Sequence, residues 1–556
     1  MESVKHITGE VLKNMFLFGA QNLRANEQEV NDLNVFPIPD GDTGENMYLT
    51  IKGGVDAISG KDGNVEHISN EFSKGMLLNA RGNSGVILSQ LFSGLAEGLK
   101  GFESVGMTDF ALAMEKGVQK AYGAVARPVE GTILTVARES VENMRLYHGD
   151  DATAQVFFFD VLEEMKKSLI HTPDLLPTLK EAGVIDSGGA GLVYIIEGFL
   201  NYFNGQTISE IAVTADHTKQ SVDFSKFNEN SVMEFGYCTE FLLQLQNAKT
   251  DINTFSVEEC IGFLNTVGDS VVAFITGTVL KVHVHTFTPW KVLQYAQSFG
   301  EFLTVKIENM TLQHNESLGE KKSTVSEINK TVKKARKKFA IVTVANGSGI
   351  IEIFKDLGAD VVIDGGQTNN PSSQAFIDAF EEVNADCIFV LPNNSNIILT
   401  AKQAGEMYQG SDVRVIPSKS VGDGYAALSM LDFSSEDADL IERTMVGDMD
   451  SVVTGMVSQA VRTTTVNGVD VKKDEYIGFT NKKVLLCSPD KICSAIELTE
   501  KLMTDDKMFI IVCYGKDASS EDRQAYSQYV NEKFKDKEIY EINGEQAVYD
   551  FLLIVE

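Results

Sequence analysis

The chain has 556 residues, which is too long for a single hydrophobic core and predicts about three or four domains of roughly 100–200 residues each. Its formal net charge of −31 argues against a sequence-independent nucleic-acid binder, because such proteins need a basic surface to displace counterions from phosphates. With 43% hydrophobic and 23% charged residues, the composition is that of an ordinary globular protein and excludes wholesale disorder.

The sequence predicts a cytoplasmic protein without a transmembrane segment. Its N-terminus lacks a cationic start followed by an apolar run, and no stretch approaches the roughly 18–20 apolar residues needed to cross a bilayer. The six cysteines are scattered without CxxC spacing, which favours reduced thiols over a disulfide framework.

Residues 1–205 are predicted to form an all-α domain. Apolar residues recur at three- and four-residue spacing, the period of an amphipathic helix, in residues 7–26, 110–126, 154–170 and 189–203. Glycine-rich turns separate these segments, as expected between packed helices.

Residues 206–314 are predicted to form a small α+β domain. Residues 208–213, 234–246, 271–287 and 302–310 are rich in β-branched residues or alternate in polarity, and residues 256–268 have a helical pattern. Residues 315–338 follow as a basic linker. Within residues 321–338 there are eight basic residues and one acidic residue, Glu327. This stretch is either solvated or a patch for an acidic partner.

Residues 339–556 repeat the order strand, glycine or asparagine turn, helix. Such β–turn–α units predict a parallel or mixed sheet covered by helices. The last part of the chain predicts a second α/β lobe.

One loop places two carboxylates two residues apart. Asp40 and Asp42 lie in the segment NVFPIPDGDTGENM, residues 34–47, immediately before a helical pattern. Alternate carboxylates on a flexible loop can turn their oxygens toward one hard cation, and Mg²⁺ suits such a site because it also binds nucleotide phosphates. The alternative is an ordinary hairpin or Asx-turn.

Three further loops open predicted helices with small or hydroxyl residues, an arrangement that offers backbone amides to phosphate. These loops lie in residues 79–91, 130–140 and 184–199, and their candidate residues are Asn83, Ser84, Gly85, Thr132, Asp186, Gly188 and Gly189. Each loop has an alternative interpretation as an ordinary helix cap.

A third candidate cluster lies in the middle domain. In KVHVHTF, residues 281–287, strand alternation sets Lys281, His283 and His285 on one face. Two imidazoles on one strand can share a metal, and Cys238 is a soft third ligand in a combination that suits Zn²⁺. Solvent-facing histidines at the ordinary strand period are the alternative.

Taken together, these motifs resemble a known family. DGDTGENM, GNSG before a helix, EGTILTV and DSGGAG are similar to the nucleotide-binding subunit of dihydroxyacetone kinase, a helical barrel that holds ATP through two Mg²⁺ ions. With KVHVHT, IENM, GGQTNNPS, LPNNSNI and GEQAVYDFLLIVE added in order, the whole chain resembles the large, ATP-binding subunit of bacterial fatty acid kinase. The resemblance implies a multidomain fold: a helical barrel, an α+β middle domain and a DegV-like α/β C-terminal domain.

The resemblance implies phosphorylation of a fatty acid carboxylate by ATP. A separate fatty-acid-binding carrier protein of the DegV family would present the acid, giving acyl phosphate for phospholipid synthesis. The C-terminal domain would dock that carrier and no longer hold lipid itself. The resemblance also implies a homodimer, formed through the middle domain.

The resemblance assigns roles to particular residues. Asp40 and Asp42 correspond to family aspartates that bind two Mg²⁺ ions, whereas Val35 stands where a third family aspartate is expected, which makes Asn34 the candidate substitute. His283 and His285, with Cys238, become zinc ligands or contacts to the transferring phosphoryl group. Nucleotide contacts are expected at Thr43, Asn46, Asn83, Ser84, Gly85, Thr132, Asp186, Gly188 and Gly189.

Two other functions stay open at this stage. The helical domain would serve a kinase of another small molecule, such as dihydroxyacetone, equally well. A nucleotide-responsive binding protein without turnover would keep the aspartate loop but tolerate loss of His283 and His285.

Overall fold

The computed structural model describes most of the chain. The described residues are 4–34, 42–144, 152–206, 237–309 and 336–556, apart from short gaps at 251, 253–254, 277, 367–368, 430, 432–435 and 482. The N-terminal and C-terminal parts form one compact unit, and residues 219–333 belong to a second.

The N-terminal part is helical, and its core is built from the apolar faces that the helical period predicts. Phe16, Phe72, Phe92, Phe158 and Phe199 form a connected aromatic cluster at its centre. The short strands β1 (His6–Thr8) and β2 (Ser104–Gly106) pair antiparallel. The helices are α1 (Gly9–Ala25), α2 (Glu27–Asp32), α3 (Thr43–Ile58), α4 (Val65–Asn79), α5 (Gly82–Gly98), α6 (Met107–Ala124), α7 (Ile133–Met144), α8 (Ala154–Leu175), α9 (Pro177–Ala182) and α10 (Ser187–Phe203).

Helices α5 and α6 cross with their backbones almost in contact. A methyl group added at Gly117 would lie 2.5 Å from the carbonyl oxygen of Leu91, and one at Gly94 would lie 2.5 Å from that of Lys116. Because neither position has room for a side chain, only glycine allows the two helices to cross this closely.

The C-terminal part contains two sheets flanked by helices. Strands β7 (Lys337–Ala345), β8 (Val361–Asp364), β9 (Ala385–Leu391) and β10 (Asp412–Val415) form a parallel sheet in the order β10-β9-β7-β8. A mixed six-stranded sheet, ordered β15-β14-β11-β18-β16-β17, contains β11 (Val453–Gln459), β14 (Tyr476–Thr480), β15 (Val484–Ser488), β16 (Phe509–Tyr514), β17 (Glu538–Asn543) and β18 (Phe551–Val555).

The remaining C-terminal elements connect and cover these sheets. Strands β12 (Thr464–Val466) and β13 (Val469–Val471) form a hairpin. The helices are α13 (Ser348–Asp356), α14 (Ser373–Val383), α15 (Ile398–Met407), α16 (Val421–Ser429), α17 (Ala438–Asp448), α18 (Lys491–Leu502) and α19 (Ser520–Lys533), with a 3₁₀ turn at Met449–Ser451.

The middle unit is an antiparallel sheet with two helices. Strands β3 (Tyr237–Leu245), β4 (Asp269–Thr276), β5 (Val279–Thr286) and β6 (Gly300–Asn309) are ordered β4-β5-β3-β6. Helices α11 (Val257–Val267) and α12 (Pro289–Gln297) accompany the sheet. Its core includes Phe241, Leu243, Leu264, Leu280 and Val282.

The predicted fold class is confirmed: a helical N-terminal region, an α+β middle domain and an α/β C-terminal region with parallel strands and a second lobe. The strand predicted at 208–213 and most of the predicted linker at 315–338 lie outside the described residues. Strand β7 already begins at Lys337, inside the stretch predicted as linker. Among the described helices, none is long and apolar enough to cross a bilayer.

The α5–α6 crossing gives a stability prediction. Gly117→Ala should destabilise the protein by about 1–3 kcal/mol, because the added methyl group overpacks the contact with α5. Gly123→Ala in the same helix is the matched control: Gly123 has no atom within 4 Å of the added carbon. This exposed substitution should be neutral or stabilise by up to about 1 kcal/mol, since alanine is the better helix former. Thermal unfolding of both full-length variants measures these changes in stability. Equal changes for the two variants would contradict the close crossing of α5 and α6.

Candidate functional site

The N-termini of α3 and α5 meet in the helical domain. The first turn of α5 lies against α3, since a methyl group at Gly85 would be 2.4 Å from the Thr50 hydroxyl oxygen. The first helical hydrogen bond of α5 runs from the Gly85 amide to the Arg81 carbonyl. The three preceding amides, of residues 82–84, therefore have no helical partner, and they have no other backbone partner in the described chain. They form an anion-binding arrangement.

Gly82 is required at the start of α5. Its φ of +59° lies in the left-handed region, and an added methyl group would lie 2.8 Å from Nδ2 of Asn46. The absence of a side chain lets the first turn of α5 approach Asn46 on α3. The two glycines of the motif GNSG, Gly82 and Gly85, are thus structural requirements of this turn.

Asp42 precedes α3 as its N-cap residue, although its side chain does not cap the helix. The amide Nδ2 of Asn370, from the C-terminal region, donates to Oδ2 of Asp42. Burial raises the pKa of the Asp42 carboxyl to about 7, and a hydrogen bond from Asn46 opposes this shift. A carboxylate in this setting lacks solvation and favours a cation beside it. Asp40, the other predicted ligand, lies outside the described residues.

Asn34, the candidate third metal ligand, lies at the same site. Its Oδ1 accepts hydrogen bonds from the hydroxyl groups of Thr43 at 2.7 Å and Ser187 at 3.2 Å. These contacts join the N-termini of α3 and α10. Ligation of a cation by Oδ1 of Asn34 would compete with them.

Four other predicted nucleotide residues lie at the N-termini of α7 and α10, where Ser187 contacts Asn34. The Asp186 carboxylate caps α10 by accepting from the Gly189 amide at 2.7 Å, and it also accepts from the Ile133 amide. Burial raises its pKa to about 6. Thr132 donates its hydroxyl hydrogen to the Val129 carbonyl oxygen at 2.8 Å. Thr132, Asp186, Gly188 and Gly189 do not line the cavity described next, and their nucleotide role stays a prediction.

A cavity of about 400 Å³ opens at the α3 and α5 N-termini. Its helical wall comprises Asn34, Asp42, Thr43, Asn46, Gly82, Asn83 and Ser84. The opposite wall belongs to the C-terminal region, where the ends of four parallel strands meet. Asn346 follows β7, Gly365 follows β8, Asn393 follows β9 and Lys419 follows β10. Ligands of open α/β sheets bind in such a crevice beyond the carboxyl ends of the strands.

The two walls are held together by hydrogen bonds across their boundary. Nη1 of Arg81 donates to the Asn370 carbonyl at 3.1 Å, and the Ser373 amide donates to the Ala80 carbonyl at 3.2 Å. Gln403 donates to the Leu77 carbonyl at 2.9 Å. The C-terminal region is therefore a wall of the site.

The sequence motifs did not predict this second wall. GGQTNNPS and LPNNSNI served only as signs of family resemblance and of carrier docking, whereas Gly365, Gly366 and residues 393–396 line the cavity together with Asp42. The available signal was the run of glycine and asparagine directly after predicted parallel strands. This signal indicates Gly365, Gly366, Asn393 and Asn394, which line the cavity.

In the middle unit, the strand register brings the predicted cluster together. Cys238 of β3 pairs with His285 of β5, and Glu240 pairs with His283. On the other side of β5, Asp269 of β4 pairs with His285. Within the described residues, no group of three or more His, Cys, Asp and Glu side chains forms a metal site. The zinc assignment stays a prediction.

The family model "DAK2 domain" matches this helical domain at residues 37–201. Two further models, for the middle and C-terminal domains of FakA-like fatty acid kinase proteins, match residues 234–317 and 340–556. The chain belongs to this FakA-like fatty acid kinase family. The match confirms the resemblance seen in the sequence.

Full-length relatives support the same assignment. Protein YloV of Bacillus subtilis is 38% identical over 563 residues, with 100% of both chains covered. Proteins of Staphylococcus saprophyticus and Staphylococcus aureus (strain MRSA252) are 36% and 35% identical, again with 100% of both chains covered.

Among solved structures, similarity is found to a DegV lipid binding protein of Thermotoga maritima and to DegV, a fatty acid binding protein from Bacillus subtilis. Each is 12% identical, with 39% of this chain and 98% of the other covered, at a TM-score of 0.30. At this identity and TM-score, the ligands of these proteins cannot be assigned to the C-terminal region of this chain.

The raised pKa of Asp42 predicts a pH-dependent effect of Asp42→Asn. Because the native carboxyl binds its proton more tightly than the unfolded chain does, its contribution to stability falls as pH rises from about 4 to about 7. Without metal or nucleotide, Asp42→Asn should exceed the wild type in stability above pH 7 by up to about 4 kcal/mol, since the pKa of the carboxyl lies about three units above its ordinary value. The difference should close toward pH 4. Thermal unfolding with a chelator measures it.

The exposed Asp62 provides the control, since its side chain is fully accessible. Asp62→Asn should leave the stability unchanged across the same pH range. A stability difference for Asp42→Asn that does not vary with pH would contradict the buried, proton-binding carboxyl.

Proposed function

We propose that this chain transfers the γ-phosphoryl group of ATP to the carboxylate of a fatty acid that a separate DegV-family carrier protein presents. The product would be an acyl phosphate, used for phospholipid synthesis. The observation that carries this proposal is the cavity in which the free N-terminus of α5 and the buried Asp42 carboxylate lie side by side.

The helical wall supports nucleotide binding. The amides of residues 82–84 are available to phosphate oxygens, and the positive end of the α5 dipole favours the negative charge of phosphate. Thr43, Asn46, Asn83 and Ser84 line the cavity beside them and supply polar side chains. We assign the phosphates of ATP to this wall.

The donor atoms around Asp42 fit Mg²⁺. Asp42 offers a carboxylate whose burial favours a cation, and Asp40 lies two residues away on the same loop. The neighbouring Asn370 has a buried amide oxygen without a hydrogen-bond partner among the described residues. Mg²⁺ prefers such oxygen ligands, and when bound with ATP it neutralises charge that develops on the phosphates. Two ions, as in the related helical kinases, are part of the proposal.

The acceptor chemistry requires no general base. A carboxylic acid with a pKa of about 4–5 is already ionised at neutral pH. One carboxylate oxygen forms the new bond to the γ-phosphorus while the bond from that phosphorus to the β-phosphate oxygen breaks, and ADP leaves without a proton transfer. The described lining of the cavity contains no His or Cys side chain, in keeping with this requirement. Lys419 is the basic residue of the described lining, and its charge can screen the repulsion between the fatty acid carboxylate and the γ-phosphate.

The proposed carrier-docking role of the C-terminal region has to use its outer surface. Residues 393–396 already face the helical wall of the cavity. Truncation before Lys338 would remove that wall together with any docking surface, so it cannot separate the two roles. Point variants of the full-length chain are the appropriate test.

The middle unit supplies the proposed second-site residues. His283 and His285, with Cys238 opposite His285, are proposed as ligands of Zn²⁺ or as contacts to the transferring phosphoryl group. Either role makes the histidines necessary for transfer but not for binding ATP at the helical wall.

Homodimerisation through the middle unit is also proposed. Strand β6 lies at one end of the four-stranded sheet, so its outer edge has no partner among the described strands. It exposes three apolar side chains, Leu303, Val305 and Ile307, at 56%, 44% and 41%. An apolar free edge of this kind suits pairing with a second copy of the chain.

The kinase proposal predicts carrier-dependent product. With ATP, Mg²⁺, oleate and a DegV-family carrier, the wild-type chain should form acyl phosphate, which hydroxylamine traps as the hydroxamate. In the double variant Asp40→Ala, Asp42→Ala the rate of acyl phosphate formation should fall at least about 100-fold. The reason is that the transition-state charge in phosphoryl transfer is stabilised mainly by electrostatic interactions. The double variant His283→Ala, His285→Ala should bind ATP but fail to transfer.

The outcomes separate the alternatives. ATP binding without acyl phosphate from any carrier would refute the lipid acceptor and leave another small-molecule substrate. Full turnover in the histidine variant would refute the assigned role of the middle unit.

The dimer proposal predicts that a charge in strand β6 lowers the molar mass of the protein in solution. Val305→Glu should shift the chain from dimer to monomer in light scattering, because it places a charge in the apolar edge. Ile170→Glu is the control, since Ile170 of α8 is 67% exposed but lies outside the middle unit. An unchanged mass for Val305→Glu would refute β6 as the interface.

A further inference from the structure

The C-terminal region contributes a side chain to the proposed metal site. Asn370 lies three residues before α14 and is only 2% exposed. Its Nδ2 donates to Oδ2 of Asp42, which is 328 positions away in the sequence. This contact joins the two walls of the cavity at the carboxylate on which the nucleotide proposal depends.

Asn370 is held in place by the helical domain. Nη1 of Arg81 donates to its carbonyl at 3.1 Å, and three residues later the Ser373 amide donates to the Ala80 carbonyl. An added methyl group at Gly82 would lie 3.5 Å from Nδ2 of Asn370. The side chain is therefore fixed between the start of α5 and the start of α3.

One atom of this side chain remains unsatisfied. Oδ1 of Asn370 is fully buried and has no hydrogen-bond partner among the described residues. A buried polar oxygen without a partner costs about 1–3 kcal/mol, and native proteins rarely keep one without an ion or an ordered water beside it. The unsatisfied oxygen belongs to the same amide group that contacts Asp42.

We propose that Asn370 is a positioning residue of the cation site, an inference that rests on the proposed nucleotide function. Nδ2 orients the Asp42 carboxylate, and the cation at Asp42, or the water shell of that cation, is the missing partner of Oδ1. Carboxylate, amide and water oxygens are the ligands that Mg²⁺ prefers. The site is complete only when the C-terminal region is packed on the helical domain.

The competing explanation is that Asn370 only joins the two walls. Gln403 provides the matched control, because it is 4% exposed and lies on the same boundary. It donates to the Leu77 carbonyl and to the Ser373 hydroxyl, and accepts from Nε2 of Gln90 at 2.8 Å. The hydrogen bonds of Gln403 within the described chain go to neither Asp42 nor Asn370.

The first experiment titrates Mg²⁺ against binding of a fluorescent ATP analogue to the full-length chain. Asn370→Ala should raise the half-saturating Mg²⁺ concentration at least about 10-fold, whereas Gln403→Ala should change it less than about threefold. Both variants should lower the thermal stability, since each removes hydrogen bonds across the boundary. Equal Mg²⁺ requirements in the two variants, or a wild-type requirement in Asn370→Ala, would overturn the proposal.

A second variant tests the site without nucleotide. Asn370→Asp keeps the shape of the side chain but places a second carboxylate beside Asp42, which destabilises the metal-free protein by like-charge repulsion. A cation at this point relieves the repulsion, so Mg²⁺ should raise the melting temperature of Asn370→Asp more than that of the wild type. Equal shifts would place the cation elsewhere and overturn the proposal.

These measurements distinguish failure of this inference from failure of the proposed function. If the wild-type chain binds no ATP analogue, the nucleotide site is refuted. The effect of Mg²⁺ on the melting temperatures of Asn370→Asp and the wild type still tests the positioning role of Asn370. If the wild type binds the analogue but forms no acyl phosphate, only the lipid acceptor is refuted. If binding is intact and insensitive to Asn370→Ala, the positioning role alone is refuted.

Discussion

The Asp42 carboxylate is the group on which the rest of the site depends. It lies at the start of α3, is largely removed from water, and has a pKa raised to about 7 by that burial. Burying a carboxyl group costs free energy unless hydrogen bonds or a cation compensate its charge. The chain offers two side-chain amides, of Asn46 and Asn370, but no basic side chain at hydrogen-bond distance among the described residues. The helical domain thus gives up stability at one point to keep a buried carboxyl in place, the group proposed to bind a cation.

Packing of the C-terminal region follows from the same constraint. The parallel sheet brings four strand ends to one edge, and the residues after those strands form the wall that faces α3 and α5. Backbone groups and asparagine side chains in this wall offer hydrogen bonds without adding negative charge near Asp42. A wall of acidic residues would raise the pKa of Asp42 further and repel phosphate. The boundary is polar and hydrogen-bonded, so the two regions act as one unit in spite of their separation in sequence.

The secondary structure could be predicted from the sequence because it depends on local patterns. The period of residues 189–203 predicted α10, and the alternation of KVHVHTF predicted β5. The loops at Asp42 and Ser84 were also correctly placed at helix N-termini. The loops at Thr132 and Asp186 have the same local pattern, yet Asp186 accepts from the amides of Gly189 and Ile133, and Thr132 donates to the Val129 carbonyl. The contribution of Asn370 could not be predicted, because its contacts span 289 and 328 positions and nothing local distinguishes it from its neighbour Asn369.

The strand register of the middle unit bears on the two roles left open for its histidines. Glu240 lies opposite His283, and both Cys238 and Asp269 lie opposite His285. The backbone register thus sets two acidic positions and one cysteine position beside the two histidine positions. A surface that stabilises a transferring phosphoryl group needs positive charge or hydrogen-bond donors, and carboxylates and a thiolate would oppose it. The same residue types are ligands of Zn²⁺. In the proposed reaction the acceptor carboxylate needs no base, so neither role proposed for the histidines includes proton transfer.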